Sequence, residues 1–120
     1  MKKVALVVAF LLVAGCGLIQ PTPQEKANAY YGPYPSNYQE IIKEHMKYKL
    51  FDPYSATFEF PHQPVQAWLV PMGNLNYGWA VVCLINAKNR MGGYVGFQEH
   101  QFLLRDGQVV LEGPWRGGLK

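Results

Sequence analysis

The chain has 120 residues and a formal net charge of +3; 49% of it is hydrophobic, 14% is aromatic, and it carries only two cysteines. A chain of this length builds one small domain around one core, with little room for an enclosed cofactor cavity. Two of its 11 basic residues, Lys2 and Lys3, sit at the very start; without them nine basic residues face eight acidic ones, which excludes the clustered positive charge that a nucleic-acid footprint needs.

The first 15 residues, MKKVALVVAFLLVAG, combine two lysines, an apolar run over 4–13 and the small pair Ala14-Gly15. That is the charged region, apolar region and cleavage site of an export signal. The apolar run is shorter than the roughly 20 residues needed to cross about 30 Å of hydrocarbon. Val13-Ala14-Gly15-Cys16 resembles the lipobox of bacterial lipoproteins. The resemblance implies that 1–15 are removed, that the Cys16 thiol carries a diacylglycerol, and that the new amine receives an acyl chain; the alternative is a soluble secreted protein. Two acyl chains already give stable anchoring, so a membrane bound through the lipid is the first expected partner. Gly17, standing where an Asp tends to retain lipoproteins in the inner membrane, implies by the same resemblance the outer membrane, on its periplasmic face. Apart from these lipid chains no cofactor is expected.

Residues 16–35 read as the acylated Cys and a proline-rich tether. GLIQPTPQEKANAYYGPYP has four prolines and three tyrosines and no period of 2 or 3.6, a composition that favours extended chain at about 3.1 Å per residue. Tyr30, Tyr31 and Tyr34 belong to a spacer, contact a partner, or fold back onto the domain. A single α+β domain over 36–120 follows. Ser36-Asn37-Tyr38-Gln39 has the form of a capping box. Tyr38, Ile41, Ile42, His45 and Met46 fall on one helical face, which predicts one N-terminal amphipathic helix over 37–50, stopped before Pro53.

Strand patterns come next. SATFEF (55–60) alternates, PVQAWLVP (64–71) is a second strand, and YGWAVVCLINAKN (77–89) reads as a central strand buried on both faces. YVGFQEHQFLLR (94–105) and QVVLEG (108–113) flank Asp106-Gly107, a two-residue hairpin signal. The helix is expected to pack on one face of an antiparallel sheet of four to five strands.

Asp52-Pro53-x-Ser55-Ala56-x-Phe58, Trp79-x-Val81-x-Cys83 and the segment NAKNRMGGYVGF (86–97) together resemble a family of small bacterial and prophage-encoded lipoproteins and exported proteins. Its pattern, D-P-x-S-A-x-F followed by V-C-x-x-N-A-K-N-x-x-G-G-Y-x-G-F, spans residues 52–97 here. That family carries no established activity, so the resemblance implies a fold unit and no mechanism.

Gly92-Gly93 is followed by a strand pattern, which favours a hairpin turn over a phosphate-cradling loop that would need a helix. Asn86, Lys88, Asn89, Arg90 and Tyr94 are then the candidate partner-binding residues. Lys88 and Arg90 would meet an anionic headgroup or a partner carboxylate; the alternative is a solvated turn whose asparagines bond their own backbone. His45, His62 and His100 show no metal-ligand spacing. Cys83 is expected as a buried small hydrophobe, and a Cys83/His100 hydrolase would require it exposed in an electropositive cleft. The 16 aromatic residues left after residue 15 either fill the core or leave an exposed face, with Trp68, Trp79, Trp115, Tyr77 and Tyr94 as candidates. The functional expectation is a membrane-anchored binding domain, an accessory or envelope-modifying factor with an envelope protein partner; a purely structural lipoprotein is the other alternative.

Overall fold

The computed structural model describes residues 20–113 and 117–120. The expected export segment, Cys16 and Trp115 lie outside the described residues.

Six strands form one curled antiparallel sheet: β1 (Thr57–Glu59), β2 (Val65–Leu69), β3 (Asn76–Asn86), β4 (Gln98–Arg105), β5 (Gln108–Gly113) and β6 (Gly117–Leu119). The order is β5-β4-β3-β2-β6, with β1 paired to β3 off that path. β3 is the spine. β4 lies along one edge over 79–85, whereas β2 and β1 share the other, opposite 76–80 and 84–86. Proline explains this split edge: Pro61 and Pro64 cannot donate to a ladder, so PHQP loops out between two short strands that run the same way. Asp106 (φ 54°) and Gly107 (φ 77°) both take left-handed conformations, as the two-residue turn from β4 to β5 requires.

With helices α1 (Pro23–Asn28) and α2 (Tyr38–Lys47), the protein is a mostly β member of the α+β class. The structure corrects the sequence reading in several places. α2 is neither the first helix nor as long as 37–50, and its N-cap Asn37 makes no side-chain bond. The capping box lies one element earlier, where Glu25 N donates to Thr22 Oγ1 (3.1 Å) and Thr22 N donates to Glu25 Oε1 (3.2 Å). The third correction is β6, which the glycine-rich stretch 117–119 does not announce; a Cβ at Gly117 would lie 2.0 Å from Trp68 O, so only glycine lets the strand approach β2.

α2 buries Ile42 and Met46, one turn apart, against Val81, Cys83 and Ile85 of β3 and Phe102 and Leu104 of β4. These are alternate positions on one sheet face. The expectation that β3 is buried on both faces is corrected too, since Ala80, Val82 and Leu84 on the opposite face are only half-buried. Among the described residues that face carries no helix, and it hides part of its surface by curling. At Gly78 a Cβ would meet Leu104 O at 2.6 Å and Leu103 Cγ at 2.9 Å, so glycine permits the closure that buries Leu103.

Residues 20–35 differ from an extended spacer. Tyr31 is buried, meeting Tyr77 edge-on at 5.5 Å, and Tyr34 meets Trp79 at 5.2 Å. Trp79 Nε1 donates to Gly32 O (3.0 Å), and the Tyr30 hydroxyl donates to Asp106 Oδ1 (2.6 Å). The fold-back alternative describes these three tyrosines. Among the described residues no helix is long and apolar enough to cross a membrane.

Candidate functional site

The candidate residues gather on the hairpin that joins β3 to β4. Asn89 N donates to Gly93 O (2.9 Å) and Gly92 N to Asn89 O (3.0 Å), closing a three-residue loop of Arg90, Met91 and Gly92. Gly92 takes φ 81°, the left-handed position that such loops reserve for glycine. The strands expected over 77–89 and 94–105 are shorter here, β3 ending at Asn86 and β4 beginning at Gln98; an isolated bridge at Tyr94, not a helix, follows the glycines, so the turn reading holds.

The five candidates divide into two kinds. Asn86 and Asn89 build the turn: Asn89 Oδ1 accepts from Met91 N (2.9 Å) and Gly93 N (3.2 Å), and Asn86 Oδ1 accepts from Gly96 N (3.0 Å). Asparagine suits this work because its short amide reaches its own backbone two residues on. Lys88, Arg90 and Tyr94 remain to face outward. Lys88 pairs with Tyr94 across the hairpin and lays Nζ 5.3 Å from the ring centre, a cation–π contact. The Tyr94 hydroxyl donates to Ser55 O (2.8 Å). This bond, together with the pairing of Thr57 with Asn86 and Phe58 with Ile85, joins the 52–58 segment to the 86–97 segment although more than 25 residues separate them in the chain.

Sequence reasoning missed how much apolar surface collects here. Met91 is 94% exposed and Tyr54, beside Ser55, is 87% exposed; Val95 and Phe97 are also open. Tyr48 and Phe51, exposed as well, follow α2. The sequence carried no signal for it, since strand patterns over 77–89 and 94–105 would pair these residues, whereas β3 ends at Asn86 and β4 begins at Gln98. Of the earlier aromatic candidates, Tyr94 is exposed, whereas Trp68, Tyr77 and Trp79 are half-buried.

Cys83 lies opposite His100 in the β3–β4 register, yet its surroundings are not those of a nucleophile. It is 0% exposed, and burial pushes its thiol up to about 11. His100 stacks on Phe102 instead (6.2 Å). His45 Nε2 lies 3.1 Å from Glu112 Oε2, which Lys49 also contacts, tying α2 to β5. Burial alone would raise the Glu112 pKa, but the bonds and charges of Lys49 and His45 outweigh it and hold the carboxyl below its ordinary range. His62 is exposed in the PHQP loop. No cluster of three or more potential metal ligands occurs among the described residues.

On the uncovered sheet face, Val65, Ala67, Leu69, Ala80, Val82 and Leu119 line an open groove of about 860 Å³. Periodicity could not reveal it, because it arises from the curl of the sheet.

Compared with known proteins, the chain matches no family model, no curated protein and no solved structure.

Proposed function

We propose that the protein is a membrane-anchored lipoprotein whose small periplasmic domain, a helix packed on a curled sheet, works by binding through its glycine-hairpin end. It would serve as an accessory or envelope-modifying factor, held by lipid on Cys16 at the periplasmic face of the outer membrane. The observation that carries the reading is the concentration of exposed Tyr54, Met91, Tyr94 and Phe97 beside Lys88 and Arg90. Large exposed apolar patches mark interaction surfaces, and a purely structural lipoprotein would have no need of one. The hydrolase alternative lacks its exposed thiol at Cys83.

The packing of residues 20–35 changes what the anchor does. Only four residue steps separate Cys16 from Gln20, a reach of about 14 Å when fully extended. The domain is therefore held close to the surface that carries the lipid rather than far out on a long spacer.

Two variants test the reading in intact cells. Cys16→Ser is expected to move the protein out of the membrane fraction. With the anchor intact, a photoreactive residue replacing Arg90 is expected to capture an envelope component, whereas the same residue replacing Gln108, exposed near the Asp106-Gly107 turn, captures none. Equal capture from both positions, or none from either, would sink the assignment of the hairpin as the working end.

A further inference from the structure

The chemistry of the hairpin end points to what it touches. Residues 86–97 contain two basic residues and no acidic one. At the tip, Arg90 and the almost fully exposed Met91 lie in the loop beyond the last bridged pair, Lys88 and Tyr94.

The amide N–H groups of Asn89, Met91, Gly92, Gly93, Val95 and Gly96 donate within the hairpin, which fixes the loop that presents Met91. Tyr54 and Tyr94 add amphipathic rings of the kind that sit at headgroup level, and Tyr94 is held in place by Ser55 O at 2.8 Å.

We propose that the glycine-hairpin end docks in the headgroup region of an anionic phospholipid bilayer, Met91 and Phe97 entering its apolar boundary while Lys88 and Arg90 meet phosphate. The proposal rests on the reading that this end is the working surface and names its partner as lipid. Charge complementarity is the reason for choosing anionic lipid: each Lys or Arg close to such a surface strengthens association about fivefold.

The geometry then fixes how the domain lies. α1 sits beside Tyr77, since Tyr31 packs on Tyr77 and its hydroxyl donates to Lys26 O (2.8 Å). From Tyr77 to Asn86 β3 runs about 30 Å at roughly 3.3 Å per residue. A lipid on Cys16 and a docked hairpin would thus hold the domain along the membrane at two points, rather than upright on one.

The test uses the acylated full chain with Met91→Cys, labelled with an environment-sensitive dye. Cys83 is buried and Cys16 would be acylated, which leaves the introduced thiol at the tip as the reactive one. Met91 touches no core residue, so the fold survives the change. The protein is reconstituted in lipid discs of pure phosphatidylcholine or with one part in three phosphatidylglycerol. Docking predicts a blue-shifted emission in the anionic discs, quenched by lipid-borne quenchers. It also predicts loss of that shift in Lys88→Gln/Arg90→Gln, whose docking constant should fall about 25-fold, the product of two fivefold steps. A label that stays in water in both compositions overturns the lipid assignment. If Arg90 nevertheless crosslinks to one envelope protein in cells, the working-surface reading survives with a protein as its partner. With neither signal, both fall.

Discussion

The two ends of the sheet use the same residue types to opposite purposes. At the α1 end, Tyr31 is 4% exposed and shares a packed cluster with Tyr77, while Trp79 gives its N–H to Gly32 O. At the hairpin end, Tyr54 is 87% exposed and Tyr94 is half open, held by its hydroxyl and by Lys88. The difference lies in what runs past them. Residues 20–35 cross the first end and give its aromatics a second layer, whereas the hairpin and the 52–58 segment that meet at the second leave their rings open. Aromatic rings therefore supply stability at one end and exposed apolar surface at the other.

Substitutions separate the two roles, and the largest effect belongs to the α1 end. Tyr31→Ala should cost about 3 kcal/mol, within the range for large-to-small core changes, and lower Tm by roughly 12–24 °C for a domain of this size. Thermal unfolding followed by near-ultraviolet circular dichroism measures it. A fall of about 2 °C or less would return residues 20–35 to the status of a tether and dissolve the contrast. Gly92→Ala comes next. A Cβ there meets nothing within 4 Å, so the whole cost is the left-handed backbone, about 1–2 kcal/mol, and chemical denaturation should show it with an unchanged m-value.

Glu112 tests the middle ground, where α2 is tied to β5. Its folded pKa is depressed, net of a burial effect in the other direction. Its contribution is therefore present above the ordinary carboxylate range, near about 4.3, and is lost as pH falls through the lower folded value. Glu112→Gln should cost about 1 kcal/mol or less at neutral pH and flatten the stability profile as pH falls below the ordinary carboxylate range. An unchanged acid limb would mean that the pair carries no linkage.

These contrasts show which parts of the molecule local sequence carries. The Asp106-Gly107 turn, the core stripe of Ile42 and Met46 and the long run of β3 are legible because each depends on spacing within one element. β6 is not, since Gly117 and Gly118 are chosen by the closeness of Trp68, a neighbour almost fifty residues away. The capping box shows the limit of motif reading. Ser36 and Gln39 have the pattern without the bond, whereas Thr22 and Glu25 make both bonds in a segment whose prolines argue for extended chain. Pro23 stands at the first helical position, where a missing N–H costs nothing. At the site, turn chemistry locates Asn86, Asn89 and Gly92. The meeting of Tyr94 with Ser55 depends on β1 pairing with β3, and no local pattern announces that.

The smallest effect on stability is the most informative for function. Met91 is 94% exposed and its amide is bonded to Asn89 Oδ1, so its side chain contributes almost nothing to folding. Met91→Ser should change stability by no more than about 0.5 kcal/mol in either direction, while removing the most exposed large apolar side chain at the tip. If the hairpin end meets lipid, docking on anionic discs should weaken several-fold although unfolding is untouched, and Tyr31→Ala should show the reverse below its lowered Tm. Two variants of apolar residues would then separate cleanly, one acting on folding alone and one on docking alone. A Met91→Ser protein that loses stability would instead mean that the tip is packed, and the contrast between the two ends would fail at its most exposed residue.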